Sequence, residues 1–205
     1  MRNEYWEEYY SKSTEELPNQ PSQFAIDVLP EINMRGIKTV FEFGCGNGRD
    51  TLFFSKIGKA VYAFDQSNAS IKQTNNLISI YPESCAQILN ATEPFSLPEI
   101  KNKPIAIYCR FFLHTLTYEE IKKFAKNCMK NTEKNDILLF EYRTLEDENR
   151  KKSTNNHFRN YLRESTIQEI FKNNQFRKIY EKKGTGLAKY KLDDAYVARQ
   201  IFEKE

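Results

Sequence analysis

Short apolar runs alternate along the chain with segments whose apolar positions recur at helical spacing. IKTVFEF reads as a buried strand ending at Gly44, and NGRDTLFFSKIG as a short helix stopped by Gly58. AVYAFD is a second strand, followed by a helix that Ser67 caps, that carries Ile71, Leu77 and Ile78, and that Pro82 ends. CAQILNA, PIAIYCR and DILLFEYR predict three more strands, with the helix TYEEIKKFAKNCMKN between the last two. STIQEIFKNN is helical. FRKIYEKKG and AYVARQIF then read as strands separated only by the turn-rich GTGLAKYKLDD, so this last pair is expected to be antiparallel. Apolar strands alternating with helices imply a parallel sheet covered on both faces. No repeat, low-complexity tract or Pro/Gly-rich linker divides the chain, which predicts a single domain over residues 1–205.

Composition narrows the setting. With 205 residues, 40% hydrophobic and 14% aromatic, the chain can bury one full core. No apolar run is long enough to suggest a bilayer span. The start MRNEYWEEYY is acidic and aromatic where an export signal needs a basic start and an apolar stretch. Cys45, Cys85, Cys109 and Cys128 are scattered and form no C-x-x-C pair, as thiols of a reducing compartment do, so a cytoplasmic protein is expected. Lys and Arg total 31 against 28 Asp and Glu, a net charge of +3 that indicates no general nucleic-acid coat. Two distant histidines and no carboxylate cluster predict no metal site.

The chemistry concentrates in TVFEFGCGNGRDTLFF, residues 39–54. A glycine turn at the carboxyl end of a strand lets backbone approach a ligand without interference from Cβ. Gly44, Gly46 and Gly48 give G-x-G-x-G, and Arg49 stands where a dinucleotide fingerprint has its third glycine, which argues against a pyrophosphate. Glu42 would repel phosphate but attract an ammonium group. Asp65 ends the next strand, roughly 20 residues on, at the usual place for a carboxylate that accepts from ribose hydroxyls. Together these features select a nucleoside that carries an amino acid and lacks phosphate.

On FEFGCGNGRD at 41–50 and AFDQS at 63–67, the sequence resembles the class I S-adenosylmethionine-dependent methyltransferases over nearly its whole length. The resemblance implies an α/β Rossmann-like fold: a mostly parallel seven-stranded sheet with helices on both faces and an antiparallel last strand. The implied cofactor is S-adenosylmethionine, leaving S-adenosylhomocysteine, with no metal. By the same resemblance Glu42 and the turn Gly44, Cys45, Gly46 and Asn47 face the methionine part, Asp65 holds the ribose and Gln66 borders the adenine. LNATEP brings Asn90 and Ala91 to the adenine, Asn90 replacing the family's frequent aspartate with a side-chain oxygen able to accept from the adenine amino group. Residues 1–35 resemble the lid of many small methyltransferases, through their Y-W…Y start and Pro21, Ser22, Phe24 and Ala25. Tyr5, Trp6, Tyr9 and Tyr10 form its aromatic face, and Trp6, Tyr10, Ser22 and Phe24 are the expected cofactor contacts. The plainer alternative is an amphipathic helix that merely docks on the sheet.

Transfer from a sulfonium needs alignment more than acid-base machinery. The stretch YCRFFLHTLTYEE follows the fourth strand, where the resemblance implies substrate-facing groups beside the methyl; Arg110, within the cofactor site, and His114, a candidate proton acceptor, are the candidates there. The segment 143–165 is read as a substrate-side insert in which Arg143, Lys151, Lys152, His157, Arg159 and Arg163 concentrate positive charge. Arg143, His157 and Arg159 are the expected substrate ligands, His157 is a second catalytic candidate, and Lys151 and Lys152 read as solvated. A small anionic acceptor follows, phosphate-, phosphoramidate- or sugar-containing. NHFRNYL and GTGLAKYKLDDAYVAR are also similar to methyltransferases of bacterial capsule and surface-polysaccharide gene clusters, which implies O-methylation of a glycan precursor or its phosphoramidate group. Two other classes stay open: a nucleic-acid methyltransferase, disfavoured by the lack of an appended binding module or an N-P-P-Y-like tetrad, and a non-catalytic cofactor-binding module.

Overall fold

The computed structural model describes residues 2–12, 20–152, 157–190 and 193–205. Strands β1 (Thr39–Phe43), β2 (Ala60–Asp65), β3 (Cys85–Ile88), β4 (Ala106–Arg110), β5 (Ile137–Arg143), β6 (Phe176–Gly184) and β9 (Val197–Lys204) form a seven-stranded sheet in the order β3-β2-β1-β4-β5-β9-β6. The pairs among β1 to β5 are parallel, and β9 runs antiparallel to both β5 and β6. The predicted Rossmann-like sheet with an antiparallel last strand is therefore present. Two short strands, β7 (Lys189–Tyr190) and β8 (Asp193–Asp194), make a separate ribbon in the stretch read from sequence as turns.

Successive side chains of a strand point to opposite faces, and the apolar strands feed two layers. On one face Phe41, Phe43, Ile107, Leu138 and Phe140 pack with Ile121 and Phe124 of α5 (Tyr118–Asn131) and Ile167 and Phe171 of α6 (Glu164–Lys172). On the other, Val40, Val61, Ala106, Tyr108 and Leu139 pack with Phe24, Val28 and Ile32 of α2 (Gln23–Met34), Phe54 of α3 (Arg49–Lys56) and Ile71 of α4 (Asn68–Ile78). Local chemistry fixes the helix starts. The Ser67 hydroxyl accepts from the Ser70 N–H at 3.1 Å, and Thr117 and Glu120 form a reciprocal capping box at the start of α5.

The N-terminal cap predicted over 1–35 divides in two. Helix α1 (Arg2–Lys12) lies against α4, where Glu7 accepts from the Ser67 hydroxyl at 2.7 Å and from the Ala69 N–H at 3.3 Å, satisfying free donors at a positive helix end. Helix α2 is core. Phe24 is 1% exposed and its ring stacks on Tyr108 at 5.2 Å, which contributes about 1.5–3 kcal/mol of burial energy and excludes it from the lid. Residues 13–19 of the predicted cap and 153–156 of the predicted insert lie outside the described residues.

Candidate active site

Strand order reverses between β2 and β4 around β1, and in such sheets the crevice at the carboxyl ends of those strands is the place for a ligand. A cavity of about 590 Å³ lies there, within the range of about 300–1,000 Å³ usual for small-molecule sites. Its floor is the glycine turn. The Gly44 and Cys45 N–H groups both donate to Phe64 O, at 2.8 and 3.1 Å, bending the chain across the end of β2. Gly44 and Gly46 have φ of 77° and 55°, which disfavours side chains. A Cβ at Gly44 would stand 2.9 Å from the Phe112 ring, and one at Gly46 2.4 Å from the Tyr10 hydroxyl. The left-handed backbone and these close contacts favour glycine at both positions.

Asp65, at the end of β2, accepts from the Gly46 N–H and the Ser67 N–H, each at 3.0 Å, and burial pushes its carboxyl above the usual range. Two donors leave lone pairs of the carboxylate unused. Gln66, Asn90 and Ala91 border the same end of the cavity. The Asn90 side-chain oxygen accepts from Gln66 Nε2 at 2.8 Å, from the Thr92 N–H at 3.0 Å and from the Thr92 hydroxyl at 2.8 Å. This corrects the role expected for it: the oxygen is consumed in shaping its own loop and is not offered to an adenine amino group.

Helix α1 covers the cavity through Trp6, Tyr9 and Tyr10. His157 reaches it from the insert, its ring 4.5 Å from Tyr5 and 4.9 Å from Trp6. Trp6, Tyr10, Gly44, Cys45, Gly46, Asn47, Asp65, Gln66, Asn90, Ala91, Arg110, His114, Arg143, His157 and Arg159 all line the wall, so most residues singled out in the sequence are brought together.

Three are not. Ser22 is buried at the start of α2, where its hydroxyl donates to Asp50 at 2.6 Å and accepts from the Ala25 N–H at 3.0 Å. Phe24 is in the core below. Glu42 is buried beneath the turn and accepts from the Thr51 hydroxyl at 2.6 Å. Burial first, then the neighbouring Asp50 charge, push its carboxyl up to about 8, so at neutral pH it is largely protonated and supplies no full charge to attract an ammonium.

The charged residues form networks. Arg110 donates to Glu141 at 2.9 Å and lies over the Phe111 ring at 4.4 Å. Arg143, expected to bind substrate, is buried and grips Asp193 through Nη2 at 2.6 Å and Asp147 through Nη1 at 2.6 Å. Its guanidinium is a strut that ties the β7–β8 ribbon to β5. His114 accepts at Nδ1 from the Arg143 N–H at 3.3 Å, and burial, then the Arg143 and Arg159 charges, hold it well below the ordinary histidine pKa. With Nδ1 accepting, the neutral ring carries its proton on Nε2.

Sequence reading missed several wall residues. Arg49 adjoins the glycine motif and lines the cavity, as do Phe111, Phe112, Tyr190 and Asp193. Phe111 has φ of 55°, an uncommon backbone state for a bulky side chain, and the Arg110 and Arg143 guanidiniums both lie over its ring, 4.4 and 5.3 Å from the centre. Among the described residues no group of three His, Cys, Asp or Glu could hold a metal ion, and no helix is long and apolar enough to cross a membrane.

Comparison with known proteins agrees with this geometry. A family model described as a methyltransferase domain matches residues 4–181, and the chain belongs to that family. It is 26% identical over 136 residues to the ribosomal protein L11 methyltransferase of Helicobacter hepaticus, an overlap of 60% of this chain and 43% of that protein. The chain thus spans less than half the length of that curated relative. Among solved structures, the N-methyltransferase NodS of Bradyrhizobium japonicum, in complex with S-adenosylhomocysteine, superposes with a TM-score of 0.75 at 14% identity, covering 100% of this chain and 99% of that one. Magnesium protoporphyrin IX methyltransferase of Synechocystis, also with S-adenosylhomocysteine, gives 0.70 at 14% identity, covering 100% of both chains. At such identities the likeness defines the fold, the Rossmann-like methyltransferase fold.

Proposed function

We propose that the protein transfers the methyl group of S-adenosylmethionine to a small anionic acceptor, most simply an oxygen of a surface-glycan precursor or of its phosphoramidate group. The observation that carries the cofactor assignment is the pairing of a left-handed glycine turn with Asp65 in one cavity. The residues fit the group: the open backbone at Gly44 and Gly46 admits close approach, and Asp65 keeps lone pairs for ribose hydroxyls. Trp6 and Tyr10 offer aromatic faces suited to a sulfonium. When bound, the cofactor supplies an electrophilic methyl on a leaving group that needs no further activation. The chain's own contribution is alignment and exclusion of water, through α1 clamped by Glu7 to α4 and the His157 ring set against Tyr5 and Trp6.

The anionic acceptor is supported by Arg110 and Arg159 in the wall, and the glycan precursor by the likeness of NHFRNYL and GTGLAKYKLDDAYVAR to capsule-cluster methyltransferases. The test is incubation of the purified protein with methyl-labelled cofactor and a panel of phosphorylated sugars, phosphoramidates, nucleotide sugars, RNA and protein. Label is expected in an anionic sugar or phosphoramidate. Label confined to RNA or protein would contradict the acceptor assignment.

A further inference from the structure

The placement of protons around the cavity bears on which oxygen can be methylated. Both histidines of the chain are in the wall. His157 is set against the aromatic rings of α1. His114 turns Nδ1 toward the Arg143 backbone N–H, a group that can only donate, so in the neutral ring the proton resides on Nε2. That nitrogen makes no hydrogen bond to any described residue, and it offers the cavity a donor and no lone pair. Asp65 takes the Gly46 and Ser67 N–H groups, Glu120 closes the capping box of α5, and Asp193 is held by Arg143. Each of these wall carboxylates already has partners within the chain. Around the same end of the cavity stand the guanidiniums of Arg110 and Arg159. His114 thus presents a donor, and with Arg110 and Arg159 it makes this part of the wall one of donors and cations.

Resting on the methyltransferase reading above, we infer that the acceptor presents an oxygen already anionic at neutral pH, a carboxylate or phosphoryl oxygen, and that His114 holds it through Nε2–H rather than deprotonating it. The oxyanion's own electron pair forms the new C–O bond while the methyl–sulfur bond breaks and its pair remains on sulfur. The product is a methyl ester and no proton changes hands. A neutral hydroxyl held at the same place would have to lose its proton, and His114 Nε2–H has no lone pair to take it. His114 and the arginines then select for charge, and the methylated product, one charge less negative, is held less tightly and released.

The experiment is nitrogen-15 NMR of the histidine-labelled full-length protein loaded with S-adenosylhomocysteine and titrated separately with inorganic phosphate, acetate and glucose. His114 is expected to remain a neutral Nε2–H tautomer at neutral pH, and its Nε2 resonance to move with phosphate or acetate but not with glucose. The anion that acts distinguishes a phosphoryl acceptor from a carboxylate. His114→Phe should weaken that anion about tenfold or more, the worth of a hydrogen bond to a charged group. His114→Gln, which keeps a donor, should recover part of the loss, and S-adenosylhomocysteine affinity should be unchanged in both. A lone pair on Nε2, a response to glucose alone, or no response to either anion in the wild type would overturn the oxyanion assignment. Failure to bind S-adenosylhomocysteine at all would instead remove the methyltransferase reading beneath it.

Discussion

Glu42 gives the protein a measurable pH signature. Its carboxyl is buried at the end of β1 beside Asp50 and is pushed up to about 8 from its ordinary value of 4.5, the causes being burial and then the Asp50 charge. Between those values the folded chain keeps a proton that the unfolded chain has released. Stability therefore falls as pH rises through this window, by about 1.4 kcal/mol per pH unit for one proton. From about pH 5.5 to about pH 7.5 the loss from this group is about 2.5 kcal/mol. Glu42→Gln keeps a side-chain oxygen for the Thr51 hydroxyl and removes the titration. His114 works in the opposite sense. Its folded pKa is depressed, so it adds stability as pH rises toward its unfolded value, but it is common to both proteins and cancels in their difference. Urea unfolding of wild type and Glu42→Gln at the two pH values is the assay. The wild type should lose about 2.5 kcal/mol relative to the variant between them. Parallel pH dependence of the two proteins would refute a buried, protonated Glu42.

Further expectations follow from the same contacts. Asp50→Ala removes the acceptor of the Ser22 N–H, the Ser22 hydroxyl and the Tyr108 hydroxyl, at 2.7, 2.6 and 2.8 Å, and leaves buried donors unpaired; it should cost about 3–5 kcal/mol in urea unfolding, and a loss under about 1 kcal/mol would contradict the network. Gly46→Ala forces a side chain into a backbone with φ of 55° and against the Tyr10 hydroxyl; about 1–2 kcal/mol of stability and most of the S-adenosylhomocysteine affinity should go, and unchanged calorimetric binding would show that the turn does not face the ligand. Arg159→Ala should impair acceptor use in the labelling assay while leaving S-adenosylhomocysteine affinity nearly unchanged, and loss of cofactor binding would put the insert over the wrong ligand.

The legible part of the site was the part encoded locally. Gly44, Gly46 and Asp65 sit within one strand-turn-helix-strand unit, and the left-handed backbone that favours glycine there is written in the residue type. The sheet was legible for a similar reason, because strands such as ILLFEYR, buried at every position, leave no solvent face. Ser22 and Phe24 were misplaced because a short motif does not say which face of the sheet its helix joins: α2 packs on Tyr108, away from the cavity wall. Arg143 read as a substrate cation because one partner, Asp193, lies 50 residues on across the ribbon with no local signal, and the nearer one, Asp147, sits in an acidic stretch that gave no sign of turning back onto β5. Tyr190 reached the wall by the same long-range folding. Asn90 was located correctly and given the wrong task, since the Gln66 and Thr92 donors that occupy its oxygen become visible only once the loop has closed.

The most direct test of the account is calorimetric titration of wild type and Asp65→Ala with S-adenosylhomocysteine, with NAD as the control ligand. The account predicts clear binding of S-adenosylhomocysteine by the wild type, a marked weakening on loss of the Asp65 carboxylate and no binding of NAD. Failure of the wild type to bind S-adenosylhomocysteine, or a preference for NAD, would contradict it.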